Sequence, residues 1–142
     1  MMNRDRSSFV WERRCLSLLR IVATGLFMQH GGQKLWGFPA GMPSGPVPPF
    51  SLIGFAGLLE VFGGLLVFIG LFTRAVSFIL SGEMAVAYFL KHFSAGFWPL
   101  LNHGELAVLY CFIFLYLSAA GGGPWSIDRF RRGASSEESG RG

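Results

Sequence analysis

A chain of 142 residues with 51% apolar side chains, a mean hydropathy of +0.47 and only 14% charged residues falls outside the ordinary soluble range and is expected in a membrane. The net charge of +4 is carried mostly by two polar ends, Arg4 to Arg14 and Arg129 to Arg141, which suit anionic headgroups and argue against nucleic-acid binding. Twenty glycines and fifteen phenylalanines fit the same setting, because small residues let helices approach while large ones face acyl chains.

Residues 1–15 read as a basic cytoplasmic segment. The first apolar stretch, Leu16 to Trp36, has the length of a bilayer crossing, about 20 residues. A basic segment before an apolar run can be a cleaved export signal, but no small-x-small site is followed by a soluble portion, so this helix is expected to be retained. Residues 37–50, GFPAGMPSGPVPPF, carry five prolines and cannot continue a helix. A second stretch runs from Ser51 to Phe72, and Thr73-Arg74 leaves room only for a tight hairpin before a shorter third, Ala75 to Leu90. The fourth, Leu101 to Ala120, is stopped by GGGPW. The expected fold is an all-α integral membrane four-helix bundle over residues 16–123, with 124–142 a cytoplasmic, mostly disordered tail.

Arginines favour the cytoplasmic side. Arg4, Arg6, Arg13, Arg14, Arg74, Arg129, Arg131 and Arg132 then share one side, which puts both termini inside; Lys34 and Lys91 fall near the other. At about 1.5 Å per residue, Glu60 and Glu83 come out near the midplane, Arg20 nearer the cytoplasmic end, and Glu105 level with His30 and Lys34. Helical phase puts Gly57, Glu60, Val61 and Gly64 on one inward stripe of the second helix. In the first helix Arg20, Thr24, Phe27, His30, Gly31 and Lys34 share a side; Ser77, Ser81, Met84 and Tyr88 share one in the third, with Glu83 rotated away; Glu105, Leu109, Phe112 and Tyr116 line up in the fourth.

A carboxylate at this depth costs roughly 2.5 to 3.5 kcal/mol, so Glu60 is expected to turn inward and find a partner or a proton. Of Glu60 and Glu83 at most one is expected to be ionised unless Arg20 reaches between them. Each charge alone could serve only to join helices. Arg20, His30, Lys34, Glu60, Glu83 and Glu105 together exceed what packing needs, and form a candidate intramembrane polar cluster. Gln33, His92, Asn102 and His103 form a candidate outer mouth, with Trp36 and Trp98 at the interface. His30, inside a helix, suits proton transfer near neutral pH. The histidines have no metal-ligand spacing, so no metal is expected, and Cys15 and Cys111 are too far apart to pair.

The runs His30-Gly31-Gly32-Gln33-Lys34-Leu35, Gly57-Leu58-Leu59-Glu60-Val61-Phe62-Gly63-Gly64, Gly70-Leu71-Phe72-Thr73-Arg74, Asn102-His103-Gly104-Glu105 and Gly121-Gly122-Gly123-Pro124-Trp125-Ser126-Ile127-Asp128 together resemble the successive signatures of the DoxX family. The resemblance implies a small multi-pass protein of the bacterial inner membrane with four transmembrane helices. Relatives include the membrane subunit of a thiosulfate:quinone oxidoreductase and a member of a mycobacterial membrane oxidoreductase complex handling thiol and oxidative stress. The polar marks carried over are Lys34, Glu60, Arg74, Asn102, Glu105 and Asp128, none with a transferable catalytic role. Where relatives often have a second glycine before the glutamate, this chain has His103.

Two functions are compatible with the chain. One is a subunit of a quinone-linked oxidoreductase without its own redox centre, in which Glu60, His30 or Glu105 exchanges protons with quinone and a protein partner supplies electrons. The other is a non-enzymatic scaffold or assembly factor that binds other membrane subunits, or copies of itself, through glycine-lined faces. Either way the lipid bilayer is the first partner.

Overall fold

The computed structural model describes residues 2–41, 45 and 47–139, which are helical or irregular with no strand among them. The side chains of Arg4 and Arg6, and residues 140–142 of the tail, lie outside what is described. Helix α1 spans Met2–Trp36. It ends at Gly37, whose φ of 68° lets the Gly37 and Phe38 amides turn back onto the Gln33 and Gly32 carbonyls.

Helix α2 covers Leu52–Ile69. Ser51 caps it, its Oγ accepting from the Gly54 amide at 3.0 Å, and a π-helical turn at Leu59–Gly63 interrupts it around Glu60. It closes at Gly70, where a φ of 75° allows the Leu71 amide to reach the Leu66 carbonyl. After a three-residue turn, Gly70 to Phe72, α3 runs over Thr73–Ala87, so that Thr73 and Arg74, expected to form the hairpin, open this helix instead, and it continues through a π turn, Tyr88–His92, and a 3-10 turn, Phe93–Ala95. Helix α4 is Glu105–Ala120 and α5 is Ile127–Ser139.

Sequence expectations change at both ends of the chain. The basic N-terminal segment is no separate unit, because α1 runs through it without a break. Residues 127–139, expected to be disordered, form α5, started where Ser126 accepts from the Arg129 amide at 3.3 Å.

Helix α1 lies along α2, and α3 makes its most extensive contact with α4. Gly31 and Gly57 set the first crossing. A Cβ on Gly31 would stand 2.7 Å from the Gly57 carbonyl oxygen and 2.9 Å from the Glu60 Cβ, so only glycine permits this approach. Phe27, Val67, Leu80, Tyr110, Phe114 and Leu117 form the centre, with the Phe27 and Phe114 rings edge to face at 4.7 Å.

Around that centre the usual distribution is inverted. Ser17, Arg20, Thr24, Glu60, Thr73, Ser77 and Ser81 are buried, while Phe62, Phe78, Phe89 and Phe112, one or more from each of α2, α3 and α4, face outward. Leu52–Ile69 is long and apolar enough to cross a membrane, with a mean hydropathy of 2.3, and Glu105–Ala120 is apolar but shorter. The phase of α4 is corrected. Its inward face is Ala107, Tyr110, Phe114 and Leu117, and Glu105, Leu109, Phe112 and Tyr116 are exposed.

Candidate functional site

Glu60 sits in the π turn of α2 with its side chain 3% exposed, and Lys34, one turn from the end of α1, donates to Glu60 Oε1 at 2.6 Å. The second oxygen, Glu60 Oε2, is buried without a hydrogen-bond partner. From α3, Glu83 presents two buried carboxylate oxygens that also lack partners, and it lies within electrostatic reach of both Glu60 and Lys34. Helix α4 contributes Tyr110, close enough to feel the Glu60 charge. His30 packs edge-on against the Tyr110 ring at 6.0 Å, near Lys34 and Lys91. Four helices thus converge on two carboxylates and one ammonium group.

The sequence-level cluster therefore divides. His30, Lys34, Glu60 and Glu83 come together, whereas Glu105 is exposed in the first turn of α4. Arg20 does not reach between the glutamates; the cation beside Glu60 is Lys34. Arg20 is instead fully buried at the opposite end of α2. Its Nε donates to the Gly122 carbonyl at 2.9 Å and its Nη1 to Val67 at 2.6 Å, and it also bonds the Phe68 and Trp125 carbonyls. Val67 and Phe68 belong to the last turn of α2, where unpaired carbonyls favour a cation.

Asp128 completes this junction from the other side. Its two oxygens accept from the Phe72 and Thr73 amides, each at 2.8 Å, at the start of α3, and its own amide donates to the Gly70 carbonyl at 2.9 Å. Burial acts to raise its pKa, but the hydrogen bonds from Thr73 and Phe72 and the charge of Arg132 outweigh this and hold the carboxyl below its ordinary value near 3.8. Ser17 adds a third tie, its Oγ accepting from the Trp125 amide at 3.2 Å. The Gly70–Arg74 and Gly121–Asp128 runs are thus one structural joint.

The proposed mouth residues also separate by role. Asn102 is buried and folds the loop before α4, donating to the Gly96 carbonyl at 2.7 Å and to Tyr88 Oη at 3.3 Å, and accepting from the Gly104 amide at 2.8 Å. His92 Nδ1 lies 3.0 Å from the Asn102 carbonyl oxygen. His103 is exposed with φ 58°, and Gln33 is half-buried on α1. Among the described residues no three His, Cys, Asp or Glu side chains converge as metal ligands. Cys15 and Cys111 are free thiols. Sequence reasoning missed Tyr110 and the joint-forming roles of Ser17 and Asp128. The i, i+3, i+7 spacing of Ala107, Tyr110 and Phe114 could have revealed the first.

Comparison with known proteins adds to this geometry. A family model for DoxX matches residues 15–93, more than half of the chain, and takes in the glycine crossing, Lys34, Glu60, Glu83 and the turn at Gly70. This chain belongs to the DoxX family. An uncharacterized protein of Haemophilus influenzae is 43% identical over 119 residues, which cover 80% of this chain and 87% of the relative. No solved structure matches. Proteins of the DoxX family are generally membrane-associated. The matched region holds three of the four helices that meet at Glu60; α4 and the Gly121–Asp128 run lie beyond it.

Proposed function

We propose that this DoxX protein is a multi-pass protein of the bacterial inner membrane, with both ends of its bundle domain on the cytoplasmic side, and that Lys34, Glu60 and Glu83 form a buried proton-exchange site. Its role is that of a membrane subunit in a quinone-linked oxidoreductase complex acting on thiosulfate, thiols or oxidative stress. The membrane reading is supported by the inverted packing, with polar groups inside and phenylalanines outside, and by the apolar length of α2.

The observation that carries the site is its charge balance. Two carboxylates face one hydrogen-bonded ammonium group, with the exposed Lys91 bearing more weakly on Glu60, and three of the four carboxylate oxygens are buried without hydrogen-bond partners. A single proton on the pair makes the group neutral, which is the favoured state away from water. Such a pair can release and recover one proton without moving a helix. A bound quinone would supply the two-electron, two-proton chemistry. The unpartnered oxygens of Glu60 and Glu83 would serve it one proton at a time, the carboxylate accepting from a hydroxyl and the protonated carboxyl donating to a carbonyl, with the second proton taken up from solvent between steps. Lys34 holds Glu60 in place, and His30 packs beside Tyr110 within electrostatic reach of Lys34 and Lys91.

The test uses purified protein in phospholipid vesicles. A quinone analogue is expected to quench tryptophan fluorescence, and Glu60→Gln or Glu83→Gln is expected to abolish the quenching while the circular dichroism stays that of a folded helical bundle. Quenching that survives both substitutions would remove the proton-exchange site. Absence of any response, with another membrane protein co-purifying, would favour the scaffold reading. In the same vesicles an impermeant maleimide should reach the exposed Cys15 from the cytoplasmic face alone.

A further inference from the structure

At the end of the bundle remote from Glu60, the joint between α1, α3 and α5 forms a half-open cleft of about 190 Å³. Four arginines from three helices line it: Arg13 from α1, Arg74 from α3, and Arg129 and Arg132 from α5. One carboxylate, Asp128, also faces it, and both of its oxygens are already engaged by the Phe72 and Thr73 amides. The floor is the backbone of Gly121 to Gly123. Gly121 has φ 84°, a left-handed turn that brings its backbone beside the Arg74 guanidinium and that a side chain would adopt only with strain.

Neither fold nor proton exchange accounts for this grouping. The joint is already tied by Arg20, Ser17 and Asp128, and of the four guanidinium groups gathered here Arg132 alone bears on Asp128, so the cleft carries an excess of positive charge that an anion would offset. Guanidinium groups bind phosphate oxygens in pairs of parallel hydrogen bonds, which suits arginine better than lysine for this task. The cavity is smaller than the roughly 300–1,000 Å³ of pockets for drug-sized ligands, so it suits a compact group. We infer that this cavity is a binding site for a phosphate group, the oxyanion being held by Arg13, Arg74 and Arg129, with Arg132 also bearing on Asp128. The phosphate comes either from an anionic lipid headgroup or from a free phosphate compound in the cytoplasm. The exposed Trp125 and Phe130 beside the joint favour a position at a lipid interface.

Full-length protein in nanodiscs of phosphatidylcholine supplies the test. Native mass spectrometry would count retained phosphatidylglycerol after exchange into mixed lipid, and ³¹P line broadening would report inorganic phosphate. Arg74→Gln with Arg129→Gln is expected to weaken binding about tenfold or more, the loss of two charge-assisted contacts. The control, Arg14→Gln with Arg131→Gln, removes the same charge outside the cavity lining and is expected to bind as the parent does. Lipid retention without phosphate broadening assigns the site to a headgroup, and broadening that survives in pure phosphatidylcholine assigns it to a soluble phosphate. Equal losses in the two double variants, or binding of neither probe by the parent, would overturn the site. If Arg74→Gln does not fold, Arg129→Glu on the exposed side of α5 carries the same expectation.

Discussion

The two ends of α2 hold buried charge in opposite ways. At its C-terminal end Arg20 donates to four carbonyls and Asp128 accepts from two amides, so both charged groups are matched by backbone. Around Glu60 the charges meet side chains, and Glu60 Oε2 and both oxygens of Glu83 have no partner. The unionised polar group buried at the joint, Thr73 Oγ1, is a hydroxyl beside Asp128, and its burial is far cheaper than that of a carboxylate. Charge matched by backbone fixes geometry and leaves nothing to exchange; charge left partly unmatched can take up and release a proton. The contrast separates architecture from chemistry within one short chain.

Breaking the matched end should have the largest effect. Arg20→Met leaves the Val67, Phe68, Gly122 and Trp125 carbonyls without their cation, and a loss of at least about 3 kcal/mol is expected, read as a lowered melting temperature in detergent. Arg20→Lys should recover little, because one ammonium group cannot reach four carbonyls spread over two chain segments. A lysine variant as stable as the parent would mean that charge alone, and not the guanidinium fork, holds the joint.

The unmatched layer should respond next. Lys34→Met strips Glu60 of its one hydrogen-bonded partner and is expected to cost about 3 kcal/mol. Glu60→Gln in the same chain should return most of that loss, since no buried charge is then stranded. A double-mutant cycle measures the coupling, and an interaction near zero would show that Glu60 holds a proton in the parent and has little need of Lys34.

Much of this division was legible in the sequence. The all-helical fold follows from apolar stretches broken by proline and glycine, and the inward stripe of Gly57, Glu60 and Gly64 agrees with their burial. Arg20 was legible as buried but not as structural, because its partners are carbonyls, which every residue carries and no motif marks. Helix α4 was misphased for a different reason. Its polar residue, Glu105, lies in the first turn, where a carboxylate faces the surface and favours the helix N-terminus without any inward partner. Residues 127–139 read as disordered because glycine and serine dominate their end, yet the Asp128 and Ser126 hydrogen bonds anchor their start.

Asp128 offers a smaller perturbation of the same joint. Its folded pKa lies below the unfolded value, so its stabilisation is fully present above about pH 4 and is lost as pH falls through the folded pKa. Asp128→Asn removes one of two amide acceptors at neutral pH and should cost about 1–2 kcal/mol. The parent and variant unfolding curves are then expected to converge at the acid end, as pH falls through the lowered pKa of Asp128. A difference that stays constant through that fall would assign the effect to packing.

The smallest effect is expected at the loop before α4, where sequence and backbone disagree. His103 has φ 58°, a left-handed conformation that a side chain adopts with strain and glycine adopts freely. His103→Gly should therefore stabilise the protein by about 0.5–1 kcal/mol, the relief of strain being partly offset by the greater freedom of glycine in the unfolded chain. His103→Ala keeps the Cβ and removes the ring, so it should show no gain. If alanine stabilises as well as glycine, the imidazole and not the backbone is the source of strain. If both variants destabilise, His103 makes a contact in the loop before α4 that its exposed position does not suggest, and that loop belongs with the matched end of the molecule.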